Sequence, residues 1–457
     1  MFTYQNYLTL GSVLLAQTVL GYPQGAVLNP TLITRDNEFI FSAIGDSWGS
    51  GVQWSDDTAY DGNEDGCMRY KYAWSTIVND RYKDWTPSPD QGSLFEFRAC
   101  SGAHLGQNIH DQMDKLTRPK MTLLEAGGNN AQFYDMADFC LFHSDRNKDY
   151  GTKYEDDDAE NPTGKCRLEI KEVRNRVGGG LKQAVLDTIE TWRYHPAVGG
   201  NDATLFMLGY ARFFALDDAC NDWDFGVQYQ NSSQTQTIKK EMRQEFNDLV
   251  DAVNLAIRSS VEQYNDPKIQ YIDINPALEG HRFCEKDHSW WSQFNYGSKV
   301  HIWNNPARFA VTIHDGDSVT TYESSDDPGV PGPPEDIVEK LRGYPEGEAV
   351  QQEQYTVLTF RDPANPSLWM EWKVEPQPLD GGSGSKDGRI ARTLHPTQDG
   401  HKEMGDLIVE ALKKNYRPDG SGPEPPSQPK PPQPETTVPG FSCPAGCTCN
   451  AGVPLCA

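Results

Sequence analysis

The chain has 457 residues, of which 66 are acidic and 41 are basic, so its formal net charge is −25. Binding to nucleic-acid phosphates or to an anionic membrane surface needs clustered Lys and Arg, and this balance argues against both kinds of partner. Beyond the N-terminus, no apolar run approaches the roughly 18 residues that a membrane-spanning helix needs, so we expect no membrane span.

The first 21 residues are typical of a secretory signal peptide. Residues 8–21 (LTLGSVLLAQTVLG) form an apolar stretch of suitable length, and Val19 and Gly21 are small enough for the −3 and −1 positions of a cleavage site. A buried or membrane-anchoring N-terminal helix is the alternative. We expect residues 1–21 to be removed and the protein to be secreted into an extracellular, oxidising compartment.

Strand and helix patterns alternate along residues 22–416, which we interpret as one domain. Short apolar runs predict strands at four places, and a helical spacing of apolar residues predicts helices at two. The predicted strands are 38–44, 120–125, 203–208 and 269–274, and the predicted helices are 237–264 and 406–414. This alternation predicts an α/β fold with a central parallel sheet covered by helices on both faces.

The C-terminal third departs from that rhythm. Residues 301–390 contain alternating patterns and loop signals, and we interpret them as an insertion that is rich in β-strand. Residues 417–440 are rich in proline and predict a semi-rigid linker. Residues 441–457 carry four cysteines and predict a mini-module, either a stapled tail or a polymer-binding module.

Ten cysteines, an even number, fit disulfide bonds in an oxidising compartment. None has a convincing zinc-site spacing. One glycosylation sequon is present at Asn231.

Four short segments carry residues suited to acyl chemistry. Ser47 lies in a glycine-flanked turn (GDSWGSG) directly after the first predicted strand, where open α/β sheets place their ligand sites. Gly102 lies in a small turn (RACSGA), Asn129 follows the second predicted strand in GGNN, and His395 lies in TLHPT near the end of the domain. The string GDSWG also satisfies G-x-S-x-G, but the α/β-hydrolase nucleophile follows several strands, whereas Ser47 follows the first.

In this order, the four segments resemble the blocks of the SGNH hydrolases, also called GDSL-type esterases and lipases: a Ser in GDS, a Gly, an Asn in G-x-N-D and a late His. The segments LGYARFF (208–214) and EGHRFC (279–284) are similar to secreted members of that family. The resemblance implies a three-layer α/β/α sandwich, and the linker-bearing architecture suggests a fungal source.

The resemblance also implies a role for each residue. Ser47 would be the nucleophile and His395 the general base and acid. The backbone N–H groups of Ser47 and Gly102 and the side-chain amide of Asn129 would form the oxyanion hole. Secreted relatives pair their cysteines sequentially, which implies the bonds Cys67–Cys100, Cys140–Cys166 and Cys220–Cys284.

Two positions depart from the family's pattern. Asn130 replaces the Asp of G-x-N-D, and Arg392 occupies the position of the acid three residues before the histidine. An arginine cannot stabilise an imidazolium. We therefore expect the backbone carbonyl of Arg392 to accept a hydrogen bond from His395 Nδ1–H, with Asp387 or an acid of the insertion as the alternative.

These observations predict a secreted serine esterase that works without a metal ion or organic cofactor. Its ester substrate could be a lipid, a small acyl ester or an acetylated polysaccharide. A non-catalytic binding protein that keeps the fold, and an acyltransferase, are the alternatives.

Overall fold

A computed structural model describes most of the chain beyond residue 37. The described residues are 38–52, 58–62, 65–142, 151–223, 225, 236–288, 292, 299–304, 308–323, 332–342, 344, 350–352, 355–375, 393–418, 447–450 and 453–456. The expected signal peptide (1–21), the sequon at Asn231, Arg392 and most of the expected linker lie outside them.

Five parallel strands form the central sheet in the order β2-β1-β3-β4-β5. They are β1 (Glu38–Gly45), β2 (Gly92–Phe97), β3 (Met121–Glu125), β4 (Thr204–Leu208) and β5 (Ile269–Ile272). Every residue of β3 and β4 is buried, as expected of parallel strands that are covered on both faces. The sheet and four of its strands were predicted from the apolar runs, whereas β2, a half-buried edge strand, was missed.

The helices pack on both faces of this sheet and complete the predicted three-layer α/β/α arrangement. They are α1 (Ser47–Ser50), α2 (Trp74–Asp80), α3 (Tyr82–Trp85), α4 (Gln107–Met113), α5 (Gly128–Ala131), α6 (Phe133–Ala137), α7 (Lys165–Arg176), α8 (Lys182–Tyr194), α9 (Lys240–Tyr264), α10 (Glu335–Arg342) and α11 (Gln398–Asn415). The strand order reverses direction after β2. Right-handed crossovers therefore place α2 and α3 on one face and α4, α8 and α9 on the other.

The last helix of the domain is longer than predicted. It was expected to begin after Gly405, but α11 begins at Gln398, where the hydroxyl of the N-cap residue Thr397 accepts a hydrogen bond from Gly400 N–H. Gly405 is buried inside the helix, and a Cβ atom there would lie 2.7 Å from Ile77 Cγ2. Gly405 therefore marks the close contact between α11 and α2 and not a helix boundary.

A second, antiparallel sheet lies within the stretch that was interpreted as an insertion. Its order is β7-β6-β10-β9-β8, formed by β6 (Arg308–Asp315), β7 (Ser318–Glu323), β8 (Val350–Gln352), β9 (Tyr355–Arg361) and β10 (Leu368–Glu375). Trp372 is buried in a small apolar core that this sheet shares with α10, separate from the core of the central sheet.

Three disulfide bonds join Cys67 to Cys100, Cys140 to Cys166 and Cys220 to Cys284. These are the three pairs that the family resemblance implies. Near the C-terminus, β11 (Cys447–Asn450) and β12 (Val453–Cys456) form an antiparallel hairpin within the expected mini-module. Among the described residues, no helix is both long and apolar enough to cross a membrane.

Candidate active site

The candidate site lies where the order of the parallel strands reverses. The chain leaves β1 for β2 on one side and returns to β3 on the other, which opens a crevice at the carboxyl ends of β1 and β3. Ser47 follows β1 at the start of α1, and Asn129 follows β3 within α5. The topology therefore brings two of the residues singled out in the sequence to one edge of the sheet.

Close backbone contact locks the turn that carries Ser47 against β3. The Asp46 N–H donates to the carbonyl of Glu125 over 2.9 Å. A Cβ atom at Gly45, whose φ is +152°, would lie only 2.2 Å from the same carbonyl oxygen, so only glycine fits there. The side chain of Gln112 holds the backbone N–H and carbonyl of Gly45, each over 2.8 Å.

His395 reaches Ser47 from the far end of the domain. Its Nε2 lies 2.7 Å from Ser47 Oγ, and its Nδ1 lies 3.0 Å from the carbonyl oxygen of Thr393. The ring is thus held between the serine hydroxyl and a backbone carbonyl. That carbonyl belongs to Thr393, whereas the sequence led us to expect Arg392, which lies outside the described residues.

Backbone pairing fixes the loop that carries His395. Trp303 donates its N–H to the His395 carbonyl over 2.8 Å, and its own carbonyl accepts from the Leu394 N–H over 2.8 Å. Leu394 has a φ of +61°, a left-handed conformation that is unfavourable for a branched side chain. The segment around Trp303 therefore maintains a locally strained loop that aims the imidazole at Ser47.

The loop that contains Gly102 is tied to the serine turn. The Cys67–Cys100 bond anchors its start, and Ser101 Oγ lies 2.8 Å from Ser50 Oγ in α1. Gly102 has a φ of +81°, and no atom lies within 4 Å of where a Cβ would be. Within the described part of the chain, neither the Ser47 N–H nor the Gly102 N–H has an acceptor, so both donors remain available.

Asn129 presents its amide to the same cavity. Its Nδ2 donates to the carbonyl of Ala103 over 2.9 Å, which orients the amide. Ser47, Asn129 and His395 all line this cavity, whereas Gly102 is not among its lining residues. Asn130 points the other way, because its Oδ1 accepts from the Leu105 N–H over 2.8 Å and so supports the neighbouring loop.

Sequence reasoning missed two residues directly beneath Ser47. Asp46 caps α1 by accepting from the Trp48 N–H, and the Tyr210 hydroxyl donates to its other carboxylate oxygen over 2.6 Å. The same hydroxyl accepts from the Gly128 N–H over 3.0 Å. Tyr210 therefore joins the turn after β1 to the turn after β3. The sequence indicated only that its segment LGYARFF resembles secreted family members, and it gave Tyr210 no role.

Burial raises the pKa values of two carboxyl groups beneath Ser47, those of Asp46 and Glu125. Desolvation raises the pKa of Asp46 to about 6, although hydrogen bonds from Tyr210 and backbone N–H groups oppose the rise. Burial, reinforced by the nearby Asp46, raises the pKa of Glu125 well above its usual value. Glu125 accepts from Trp74 Nε1 over 2.7 Å. Both shifts favour the neutral carboxyl forms beneath Ser47.

His401, the other late histidine, is a structural residue of α11. It is fully buried, and desolvation lowers the pKa of its imidazole to about 3, so the ring stays neutral. Its Nδ1 accepts from the Trp74 N–H over 3.4 Å. His401 lies within α11 and is not among the residues that line the cavity, whereas His395 is.

Aromatic and aliphatic side chains form most of the cavity wall. Besides the polar residues at its base, the cavity is lined by Trp48, Phe133, Tyr134, Ala137, Phe213 and Leu394. Such a lining suits the hydrocarbon part of an acyl group, with the polar groups gathered at one end. Among the described residues, the one group of His, Cys, Asp or Glu side chains spaced to hold a metal ion is His110, Asp114 and His195, and none of these lines the cavity.

Comparisons with known proteins give only distant likenesses. No family model matches the chain, and no curated protein matches it. Among solved structures, it is similar to an extracellular lipase from Streptomyces rimosus at 20% identity, with 54% of this chain and 85% of that chain covered and a TM-score of 0.38. It is also similar to phospholipase A1 from Streptomyces albidoflavus NA297 at 24% identity, with 53% and 82% covered and a TM-score of 0.37. Similarity at this level assigns no activity to the chain.

Proposed function

We propose that this protein is a serine esterase that hydrolyses carboxylic esters through an acyl-serine intermediate. The observation that carries the proposal is the 2.7 Å contact between Ser47 Oγ and His395 Nε2 at the base of an apolar cavity. A serine hydroxyl is a weak nucleophile unless an adjacent base accepts its proton. The expected order of the four sequence segments and the family resemblance support the same chemistry.

In the first half-reaction, Ser47 Oγ attacks the ester carbonyl carbon while His395 Nε2 takes the hydroxyl proton. The tetrahedral intermediate collapses, the C–O bond to the alcohol breaks, and His395 returns the proton to the leaving oxygen. Water then attacks the acyl-serine with His395 again as the base, which releases the acid and restores Ser47.

The negative charge on the carbonyl oxygen needs donors that are already in place. We assign this role to the N–H groups of Ser47 and Gly102 and to the Asn129 amide. The acceptor-free N–H groups and the orientation of the amide by Ala103 support the assignment. An amide suits the position because it donates without carrying a charge that would oppose the oxyanion.

A backbone carbonyl orients the histidine in this proposal, which makes the catalytic pair a Ser–His dyad. The Thr393 carbonyl accepts from Nδ1–H and fixes the tautomer whose Nε2 can take the serine proton. A carbonyl dipole stabilises the imidazolium less than a carboxylate does. In this proposal the Arg392 side chain does not orient the ring. We therefore expect its replacement to leave most of the activity.

We propose that the acyl chain occupies the apolar cavity and that the alcohol portion faces outward. Lipid esters, small acyl esters and acetylated polysaccharides can all bind in this orientation. The length of acyl chain that the cavity accepts distinguishes these three classes of substrate. The three disulfide bonds support an extracellular location, because such bonds persist in oxidising compartments.

The test is hydrolysis of p-nitrophenyl acetate, butyrate and a long-chain ester by the full chain and its Ser47→Ala, His395→Ala and Arg392→Ala variants. We expect Ser47→Ala and His395→Ala each to lower kcat roughly 10⁴-fold or more, and their double variant to lose little beyond either single change. Ser259→Ala, a serine on α9 remote from the cavity, is the matched control and should keep wild-type kcat.

Two outcomes would contradict the proposal. Folded wild-type protein that hydrolyses none of these esters, nor acetylated xylan, would favour a binding protein. Activity that survives in Ser47→Ala would place the reaction elsewhere. Product analysis with an added alcohol separates hydrolysis from acyl transfer, because a transferase forms a new ester in place of the free acid.

A further inference from the structure

Two imidazoles and a carboxylate meet at the edge of the sheet opposite the candidate active site. His110 lies in the last turn of α4, Asp114 is the C-cap residue of α4, and His195 is the C-cap residue of α8. Positions four residues apart share one face of a helix, so His110 and Asp114 point the same way. One side-chain ligand atom from each of the three residues lies within 4.8 Å of the other two.

The separations match those of metal ligands. His110 Nδ1 lies 3.6 Å from Asp114 Oδ2, and His195 Nε2 lies 3.3 Å from Asp114 Oδ1. An N–H···O hydrogen bond is typically about 2.9 Å long. Two ligands of a tetrahedral zinc ion lie roughly 3.3 Å apart when each bond to the metal is about 2.0 Å. The three groups are therefore spaced to surround a shared ion.

An unsatisfied ring nitrogen points to the same conclusion. His110 Nδ1 is buried and has no hydrogen-bond partner among the described residues. The His110 ring meets the His195 ring edge to face, with centroids 4.8 Å apart and planes at 75°. A buried polar atom without a partner costs free energy. A cation held between these groups would give that nitrogen a partner.

One contact opposes metal binding and limits its strength. His195 Nδ1 accepts from the Ala197 N–H over 3.3 Å, so the neutral ring carries its proton on Nε2 in this state. Coordination through Nε2 moves that proton to Nδ1 and breaks the contact. The contact is long and therefore weak, and Asp114 is 60% exposed, which leaves room for water to complete the coordination shell.

We propose that His110, Asp114 and His195 bind a divalent cation of the zinc type. Two imidazole nitrogens with one carboxylate favour Zn²⁺ over Mg²⁺ or Ca²⁺, which prefer oxygen ligands. The ion joins the C-terminal ends of α4 and α8. Those ends lie at the amino edge of the strands, because α4 ends shortly before β3 begins, whereas Ser47 follows the carboxyl end of β1. The site therefore stabilises the helical layer and does not take part in ester hydrolysis.

The test is a calorimetric titration of the chelator-treated full chain with ZnCl₂. The His395→Ala background removes the imidazole of the candidate active site, which makes the result independent of the proposed function. We expect one equivalent of Zn²⁺ to bind per chain. Asp114→Asn and His110→Ala should each weaken Zn²⁺ binding at least tenfold. Zn²⁺ should raise Tm only where the three ligands are intact. Co²⁺ in place of Zn²⁺ should give the visible absorption of a tetrahedral site.

Asp111→Asn is the matched control, because Asp111 lies on the same helix, is exposed and loses the same charge. It should bind zinc with the same affinity as the parent protein, which carries His395→Ala alone. His195 is buried, so its replacement could unfold the helix end. The exposed Asp114 and the half-buried His110 therefore decide the result. No binding by the parent protein, or equal affinities for the parent, Asp114→Asn and Asp111→Asn, would overturn the proposal.

Discussion

The Ser47 hydroxyl depends on groups that come from distant parts of the chain. His395 follows it by 348 residues and still lies 2.7 Å from its oxygen. The donors proposed for the oxyanion come from three separate turns, and each is held by a backbone contact or a disulfide bond. At the scale of single residues, the proposed chemistry therefore depends on side chains whose orientation their neighbours have already fixed.

Asn129 and Asn130 provide a comparison between catalysis and support. We expect Asn129→Ala to lower kcat about 10²–10³-fold with little change in KM, because the lost amide would act only on the developing oxyanion. Asn130→Ala should instead lower the free energy of unfolding, because Leu105 N–H loses its acceptor. Steady-state kinetics and urea unfolding on both variants make the comparison. Equal kcat losses would contradict the assignment of Asn129.

Asp46 makes stability depend on pH. Its pKa rises from the ordinary 3.8 to about 6 in the folded protein, so the native state binds this proton more tightly than the unfolded chain. The contribution of the Asp46 proton to the free energy of unfolding is fully present below about pH 3.8 and is lost as the pH rises through about 6. The total is on the order of 3 kcal/mol.

Urea unfolding of wild type and Asp46→Asn between pH 4 and pH 7 measures this effect. We expect the free energy of unfolding of wild type, relative to the variant, to fall across this range. Asp46 also contributes to the raised pKa of Glu125, so the difference between the two proteins reports the titration of Asp46 together with its coupling to Glu125. A difference that stays constant with pH would show that the native pKa of Asp46 is unshifted.

At the scale of elements, Tyr210 connects the turns that follow β1 and β3. Its hydroxyl donates to Asp46 and accepts from the Gly128 N–H. Tyr210→Phe should lower the free energy of unfolding by about 1–3 kcal/mol, because it removes one hydrogen bond of the buried Asp46 carboxylate and the acceptor of the half-buried Gly128 N–H, and should also lower kcat. Tyr194→Phe is the control, since Tyr194 is 74% exposed. Unchanged stability and kcat in Tyr210→Phe would refute this connecting role.

The contact between α11 and α2 depends on the missing side chain of Gly405. Gly405→Ala would place a methyl group 2.7 Å from Ile77 Cγ2, and we expect a loss of about 1–3 kcal/mol of stability. Gly179→Ala is the matched control, because a Cβ there meets nothing within 4 Å and alanine stabilises such a helical turn. Thermal unfolding of both should give opposite shifts in Tm. Shifts of the same sign would contradict the packing argument.

At the scale of the whole molecule, the described chain has two apolar cores. The central sheet and its helices share the larger one, and the second sheet packs a smaller one against α10. Trp372 is 1% exposed in the smaller core. No described residue of the second sheet is among those that line the candidate active-site cavity. The two regions can therefore lose stability separately.

Trp372→Ala tests this separation. We expect about 3–5 kcal/mol of local destabilisation, visible as early proteolytic cleavage within residues 308–375, while ester hydrolysis at 25 °C persists. Val319→Ala is the control, because Val319 is 59% exposed on β7. Loss of both hydrolysis and the global unfolding transition in Trp372→Ala would show that the two cores form one cooperative unit.

The sequence alone determined the class of the fold. Apolar runs of strand length between helical patterns favour a parallel sheet that is covered on both faces, because such strands bury both of their sides. The motif residues Ser47, Gly102, Asn129 and His395 could be singled out as candidates because acyl chemistry restricts the residue types that suit it. The edge strand β2 and the start of α11 were not predicted, because a half-buried strand and a glycine within a helix give weak local signals.

Only the tertiary structure decided which groups meet. The carbonyl behind His395 belongs to Thr393 because Leu394 takes a left-handed conformation. Tyr210 reaches Asp46 because β4 lies beside β3 in the sheet. His195 reaches His110 and Asp114 because α4 and α8 end at the same edge of the sheet. Such contacts join residues far apart in sequence, and they follow from strand order and helix packing, which local patterns do not encode.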